Sequence, residues 1–437
     1  MQINLRMSRF FCNFARFLKT MYIYFFIIWL ASLFGHKKAR QIIEGQKGIT
    51  YQNGSVSVHG RMLPKNAIWI HASSVGEFEQ ARPLIERLKA NKEGVKIIVT
   101  FFSPSGYEAR KNYPLADGVL YLPFPTRKNA RQFIQALQPK MAIFVKYEFW
   151  PAYLRELKKQ GVPAYSVSAI FRPEQIFFRW YGKWYLSVLR CLSHIYVQDE
   201  ESLELLKRHG VTQVSVAGDT RFDRVMDVKS GLKEDDPRLI PVAQFTEGCE
   251  RVIVAGSTWP KDEALLAEYM ANDWNQTTKL ILVPHEIDEE HLHLIFNLFQ
   301  GQALRYTTLA ALSPAARQNA LRHARVLLID TMGLLSSIYR FGQTAYIGGG
   351  FGVGIHNTIE AAVYGVPVIF GPNYRHFREA KGLIAAGAAR SIRNYKETET
   401  ALNTALEQHT EIGAKAAAYV QSELGATNQI FGQIFEN

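Results

Sequence analysis

Thr344-Ala345-Tyr346-Ile347-Gly348-Gly349-Gly350-Phe351-Gly352-Val353-Gly354-Ile355-His356-Asn357-Thr358-Ile359-Glu360 is the stretch whose reading decides the fold. An apolar run of four residues ends in glycines. It is followed by Ala361-Ala362-Val363-Tyr364-Gly365-Val366-Pro367-Val368-Ile369-Phe370-Gly371-Pro372. The order reads as strand, glycine-rich turn, short helix, strand, turn, which is the repeating unit of an α/β protein. Glycine lets a backbone approach a ligand closely, and a helix start offers unpaired N–H groups to a phosphate. His356 or Asn357 falls near the helix N-terminus and Glu360 inside it. A carboxylate there suits the two hydroxyls of a ribose, so the stretch points to a protein that handles an activated sugar.

Working outward, the same grammar recurs. Arg251 to Thr258 is an apolar run that ends in Gly256-Ser257-Thr258-Trp259-Pro260, small and hydroxyl residues able to meet phosphate or carboxylate oxygens. Lys279 to Pro284 and Val326 to Asp330 read as further strands, the second followed by Thr331-Met332-Gly333. Upstream, strands are expected at Ala67 to Ala72, Val95 to Thr100, Gly118 to Leu122, Met141 to Val145, Ala164 to Ser168, His194 to Val197 and Val214 to Ala217. Helical patterns separate them, at Phe78 to Ala90, Arg127 to Leu137, Tyr153 to Gln160 and Glu200 to His209. Strands alternating with helices predict parallel, doubly wound sheets, whose ligands sit beyond the carboxyl ends of the strands.

A chain of 437 residues exceeds one ordinary core, so two domains are expected. The polar, proline-bearing stretch 226–250 reads as the linker between a domain over 46–225 and another over 251–405, with C-terminal helices over 406–437 returning to the first domain. Cys12, Cys191 and Cys249 are too few and too scattered for a disulfide framework or a zinc site, which suits a reducing compartment.

The formal charge of +12 is uneven. Residues 1–50 hold Arg6, Arg9, Arg16, Lys19, Lys37, Lys38, Arg40 and Lys47 against the single acid Glu44. Between them runs the aromatic, apolar segment Thr20 to Gly35. Sixteen residues of helix span about 24 Å, short of the ~30 Å hydrocarbon core. No small-x-small cleavage site follows, which argues against a secretory leader. A spanning anchor and a helix lying in the interface both remain, and basic charge on both flanks fits the interface best. Residues 1–45 are therefore expected to anchor the protein at a membrane with its bulk in the cytoplasm. No nucleic-acid motif accompanies the basic charge, so no nucleic-acid partner is expected. The aromatic and basic run from Phe171 to Tyr185 suits either contact with acyl chains and phosphates or an amphipathic core helix with snorkelling arginines.

Two carboxylates carry chemistry. Ser73-Ser74-Val75-Gly76-Glu77 is a turn from a strand into a helix, and Glu77 there is placed to act either as a general base or as a helix cap. Glu148, at a strand end before Phe149-Trp150-Pro151, is either a second acidic group of the site or an ion-paired surface acid. His71 reads as a site residue or a satisfied core histidine.

With these residues in order, the chain resembles the 3-deoxy-D-manno-octulosonic acid (Kdo) transferases. The matching pieces are His71 to Glu77, Glu148 to Pro151, Gly218-Asp219-Thr220-Arg221-Phe222-Asp223-Arg224, Gly256 to Pro260, Asp330 to Gly333, and Gly349-Gly350-Phe351 through Glu360. The resemblance implies two Rossmann-like domains in a GT-B glycosyltransferase architecture, with an N-terminal membrane-anchoring helix. It implies CMP-Kdo as donor, a lipid A precursor as acceptor, no metal or other cofactor, inversion at the anomeric carbon, and a place on the cytoplasmic side of a bacterial inner membrane. It assigns catalysis to Glu77 and Glu148. Substrate contacts fall on Ser74, Gly76, Ser257, Thr258, Met332, Gly333, Gly350, His356, Asn357 and Glu360. The chain departs from the family where Val283-Pro284-His285-Glu286 replaces Pro-Arg-His and Gly333-Leu334-Leu335 replaces Gly-Glu-Leu, which removes an arginine and a glutamate expected near the donor. The competing reading is another GT-B transferase or epimerase that uses a uridine nucleotide.

Overall fold

The computed structural model describes residues 30–233, 235–273, 277–299, 301–352 and 354–436. The chain divides into two compact units. One runs to Arg224 and resumes at Gly425; the other is Val225–Leu424.

The first unit is built on a seven-stranded sheet in the order β10-β9-β8-β7-β4-β5-β6. Its strands are β4 (Ile68–Ala72), β5 (Ile97–Phe101), β6 (Gly118–Tyr121), β7 (Met141–Val145), β8 (Ala164–Ala169), β9 (His194–Val197) and β10 (Val214–Val216). All its ladders are parallel. Every residue of β4 and β5 is buried, as strands covered on both faces require. The core centres on Trp69, whose ring meets Phe133, Phe144 and Tyr153 edge-on at 5.2–5.3 Å. On the other face Phe78, Leu84, Ile85 and Val99 pack with Ile430, Phe431 and Ile434 of the last helix, Ala426–Phe435. A small antiparallel sheet precedes it: β1 (Ile49–Gln52), β2 (Ser55–Val58) and β3 (Arg61–Met62). The sequence did not announce these strands.

The second unit repeats the plan in the order β13-β14-β12-β11-β15-β16-β17. Its strands are β11 (Arg251–Thr258), β12 (Thr278–Pro284), β13 (Ala303–Arg305), β14 (Val326–Leu328), β15 (Thr344–Ile347), β16 (Val368–Phe370) and β17 (Ala389–Ser391). In each seven-stranded sheet the strand that comes first in the chain is an inner one and the winding reverses beside it, between β4 and β7 and between β11 and β15. Those reversals are the crevices where open α/β sheets bind ligands.

Residues 226–250, expected as a linker, belong to the second unit and are partly helical. One helix runs Thr220–Ser230 and another Ile240–Thr246, with Val242 and Phe245 buried. Pro241, read as a linker residue, sits in the first helical turn, where a missing N–H costs nothing.

The run from Phe171 to Tyr185 divides between the two roles expected for it. Phe171, Phe177 and Phe178 pack in the core, while Trp180 is 80% and Tyr181 47% exposed. Most of the expected membrane anchor, residues 1–29, lies outside the described residues. Among those described, no helix is long and apolar enough to cross a membrane. The basic helix Lys37–Lys47 follows exposed Leu33 and Phe34.

Candidate active site

At the first reversal, the loop after β4 carries Glu77 at the third position of the helix Val75–Asn91. The Ser74 hydroxyl accepts the Glu77 N–H at 3.4 Å, and Glu77 Oε2 accepts the Ser73 N–H at 2.6 Å. This reciprocal cap fixes the carboxylate by one oxygen. Among the described residues Oε1 has no hydrogen-bond donor, so it is the oxygen a substrate would meet. Of the two roles open to it in sequence, Glu77 fills the cap, and its second oxygen is left for the other. Ser74 serves the cap, and Gly76 is exposed on the first turn.

Glu148, on the loop after β7, is 8% exposed. Its Oε2 lies 3.0 Å from His71 Nε2 and accepts the Trp150 indole N–H at 2.6 Å. His71 is fully buried, and its Nδ1 lies 2.8 Å from the Thr100 hydroxyl, which also accepts the Trp69 indole N–H at 2.8 Å. A buried relay from Trp69 through Thr100 and His71 therefore ends on Glu148. Burial, with the charge of Glu148 added, pushes Glu77 up to about 7, against the lowering effect of the Ser73 N–H. A carboxylate poised near neutrality is matched to general-base work. Lys146, beside this pair, holds a left-handed backbone at φ 62°, a strained conformation of the kind that clusters at functional sites.

At the second reversal the glycines serve the fold before any ligand. A Cβ on Gly348 would sit 2.2 Å from the Ser257 carbonyl oxygen, and one on Gly350 would sit 2.6 Å from the backbone of Gly371. Both positions let the loops after β11, β15 and β16 close on one another. Gly350, expected to approach a ligand, approaches the Gly371 backbone instead. Gly352, by contrast, has open space around it, with only the Gly349 carbonyl at 3.9 Å.

Asp262 ties the loops together. Its carboxylate accepts the Trp259 N–H at 3.0 Å, the Gly349 N–H at 2.9 Å and the Tyr346 hydroxyl at 2.8 Å. Thr258, expected to offer its hydroxyl to a phosphate, is buried and donates it to Glu263 at 3.0 Å. Ser257 keeps its side chain half-buried, on a backbone at φ 53°.

Trp259 stacks on His285 at 4.8 Å, and His285 lies 4.5 Å from His356. The Trp259 indole N–H reaches His356 Nε2 at 3.3 Å. Burial, with the neighbouring His285, pushes His356 down to about 4, so its imidazole is neutral in the ordinary pH range. His285 occupies the segment where the resemblance had wanted an arginine. Asn357 donates its side-chain N–H to Glu360 at 2.9 Å, and Glu360 is the second residue of the four-residue helix Ile359–Ala362. Met332 is 75% exposed and Gly333 left-handed on the loop after β14.

The second unit therefore brings Ser257, His356, Asn357 and Glu360 to the ends of β11 and β15, with Met332 and Gly333 two strands away. Asp262 and His285 were missed in sequence. Asp262 looks there like any solvated first-turn acid, and the one available signal was its spacing three residues after Trp259, a capping position.

Residues 46–224 match the family model described as 3-deoxy-D-manno-octulosonic-acid transferase (kdotransferase). A 3-deoxy-D-manno-octulosonic acid transferase of Aquifex aeolicus is 27% identical over 80% of this chain and 88% of its own length. Another, of Bordetella pertussis, is 29% identical over 83% of this chain and 85% of its own. Among solved structures, UDP-GlcNAc 2-epimerase from Neisseria meningitidis, bound to UDP-GlcNAc, covers 85% of this chain and all of its own length at a TM-score of 0.62 and 14% identity, a likeness of fold alone. The matched residues of the first unit, and relatives that span four-fifths of the length at 27–29% identity, make the chain similar to the Kdo transferases and support an enzyme of the glycosyltransferase class.

Proposed function

We propose that this protein moves Kdo from CMP-Kdo to a glucosamine hydroxyl of a lipid A precursor at the cytoplasmic face of a bacterial inner membrane, with inversion and with Glu77 as the base. The observation that carries the reading is Glu77 itself: capped through one oxygen, open at the other, and held near neutrality beside Glu148. Glu77 Oε1 takes the proton of the attacking hydroxyl as its oxygen bonds to the anomeric carbon. The bond from that carbon to the phosphate oxygen breaks on the opposite face, and CMP leaves with the electron pair. Glu148, held by His71 and Trp150, keeps Glu77 basic and faces the reacting centre.

In the second unit Ser257 receives the donor's phosphate, and Glu360, steadied by Asn357, takes ribose hydroxyls. Met332 and Gly333 border the base. Exposed Leu33 and Phe34 beside Lys37, Lys38 and Arg40 support seating on an anionic membrane surface.

The test is mass spectrometry of purified protein incubated with CMP-Kdo and tetraacylated lipid A precursor, beside Glu77→Gln. Product heavier by whole Kdo units is expected, and the variant should lose ~10²- to 10⁴-fold in turnover while still binding CMP. Equal loss of turnover and CMP binding would remove Glu77 from the role of base. Preference for UMP over CMP in the same binding assay would favour a uridine-nucleotide enzyme of this fold.

A further inference from the structure

The second unit has a basic pocket that shares the loop after β16 with the site just described and is otherwise lined by different residues. It has a volume of about 400 Å³ and lies at the carboxyl end of β16 and along the edge strand β17. Tyr374 and Arg375 line it from the loop after β16, Arg390 and Ser391 from β17, and Arg393 and Glu397 from the segment beyond.

Elsewhere in this unit guanidiniums are mostly engaged. Arg325 pairs with Asp273 at 2.6 Å, Arg378 with Glu423 at 2.7 Å, Arg305 with Glu289 at 2.9 Å and Arg238 with Asp236 at 2.7 Å. The guanidiniums of Arg375, Arg390 and Arg393 differ: no ion pair or side-chain hydrogen bond engages any of them among the described residues. The one acid of the pocket is already committed, since Glu397 caps its helix by accepting the Arg393 backbone N–H at 2.9 Å. Three like charges gathered around one concavity repel one another unless an anion joins them.

We infer that this pocket is a second anion site of the donor-binding unit, built for a phosphomonoester. The charge decides the class. Three guanidiniums facing one carboxylate leave two positive charges, which match a phosphate dianion, whereas a lone carboxylate is satisfied by a single bidentate arginine. The Tyr374 hydroxyl stands within the same lining as a further donor, while the Ser391 hydroxyl is given to the Gly371 carbonyl at 3.3 Å. The site lies on the carboxyl-end side of the sheet where such folds take ligands, and it does not depend on which sugar the enzyme transfers. The same chemistry is offered by free phosphate and by a phosphorylated glycolipid.

Equilibrium dialysis of radiolabelled inorganic phosphate against the full-length protein in detergent tests the site, with and without saturating CMP. Phosphate should bind in the presence of CMP. Arg375→Gln/Arg390→Gln/Arg393→Gln should weaken it at least tenfold and leave CMP affinity unchanged, with Arg375→Gln alone as the milder variant if the triple one fails to fold. Displacement of phosphate by a phosphorylated lipid A precursor, but not by its dephosphorylated form, would support the site with the glycolipid as source. Displacement by neither would support it for free phosphate. Phosphate binding that survives the triple substitution would overturn the proposal and leave the arginines as charges that guard a sheet edge. One-for-one displacement by CMP would also overturn it, by assigning the anion to the nucleotide loops. A protein that binds phosphate here but shows no transfer from CMP-Kdo would sink the proposed reaction and leave this site standing.

Discussion

The two units share a parallel seven-stranded plan that reverses beside its first strand, though β14 lies between β12 and β13 in the second, and they furnish the point of reversal in opposite ways. The first fills it with titratable side chains: Glu77 and Glu148, with His71 buried behind them. The second fills it with backbone and rings: glycines pressed against neighbouring loops, one buried aspartate that gathers N–H groups, and a stack of Trp259, His285 and His356. A common scaffold supplies the place and the loops supply the chemistry. Acid–base work needs a group that changes protonation near the working pH, and burial beside a like charge raises a carboxyl toward it. The nucleotide role proposed for the second unit needs loops fixed against one another, and glycine contacts provide that.

The sharpest break in the comparison is expected from the glycines. Gly348→Ala places a methyl 2.2 Å from the Ser257 carbonyl oxygen, and that oxygen belongs to backbone that cannot swing aside. Overpacking of this kind costs ~1–3 kcal/mol, and the loops after β11 and β15 must separate to accept it. Gly348→Ala should lower the melting temperature and abolish CMP binding together. Gly352→Ala, with open space around it, should change neither. If Gly348→Ala melts and binds like the wild type, the glycines do not hold the loops together.

A smaller effect is expected from Glu148→Gln. Burial, the larger cause of Glu77's raised value, stays; the neighbouring negative charge goes. Glu77 then loses its proton more readily, and the acid limb of the kcat/KM profile should move to lower pH from a midpoint near 7 while staying above the ordinary 4.5. An unmoved midpoint would detach Glu148 from Glu77. The same shift sets a slope in stability. Glu77 folded holds a proton between about 4.5 and 7 that the unfolded chain has released, so its contribution to stability falls as pH rises through that window. Glu77→Gln should therefore raise the melting temperature at pH 8 relative to the wild type and leave it nearly unchanged at pH 4.

Much of this was legible in the chain. Met141–Val145 and His194–Val197 are apolar runs bounded by turn residues, and both formed strands over those same residues. Glu77 was legible because Ser74 three residues earlier is a capping signal that local geometry honours. Strands of three residues such as Ala303–Arg305 and Ala389–Ser391 were not, because so few residues carry no periodicity and tertiary pairing alone makes them strands. The glycines were read as room for a ligand, yet whether a missing Cβ makes space for a ligand or for another loop is decided by residues on other loops, Ser257 for Gly348 and Gly371 for Gly350. The same holds for Thr258, whose hydroxyl is used by Glu263, and for His71, whose partner stands 77 residues downstream.

The smallest and most discriminating effect is in His356. Pushed down to about 4 by burial and by His285, it stays neutral where an ordinary histidine of 6.5 would take up a proton. Between about 4 and 6.5 the unfolded chain then binds the proton that the folded one refuses, so this group's contribution to stability rises with pH, the reverse of Glu77. Long-range nitrogen–proton correlation spectra of the imidazoles, recorded from pH 8 to pH 5, read it directly. His356 should hold the pattern of a single neutral tautomer throughout. His291, raised by its hydrogen bond and charge pairing with Glu263 against the cost of its burial, should titrate within that range or above it. If His356 gains its proton near 6.5, the ring stack is open to water, and the loops after β11 and β15 would owe their closure to the glycines and Asp262 alone.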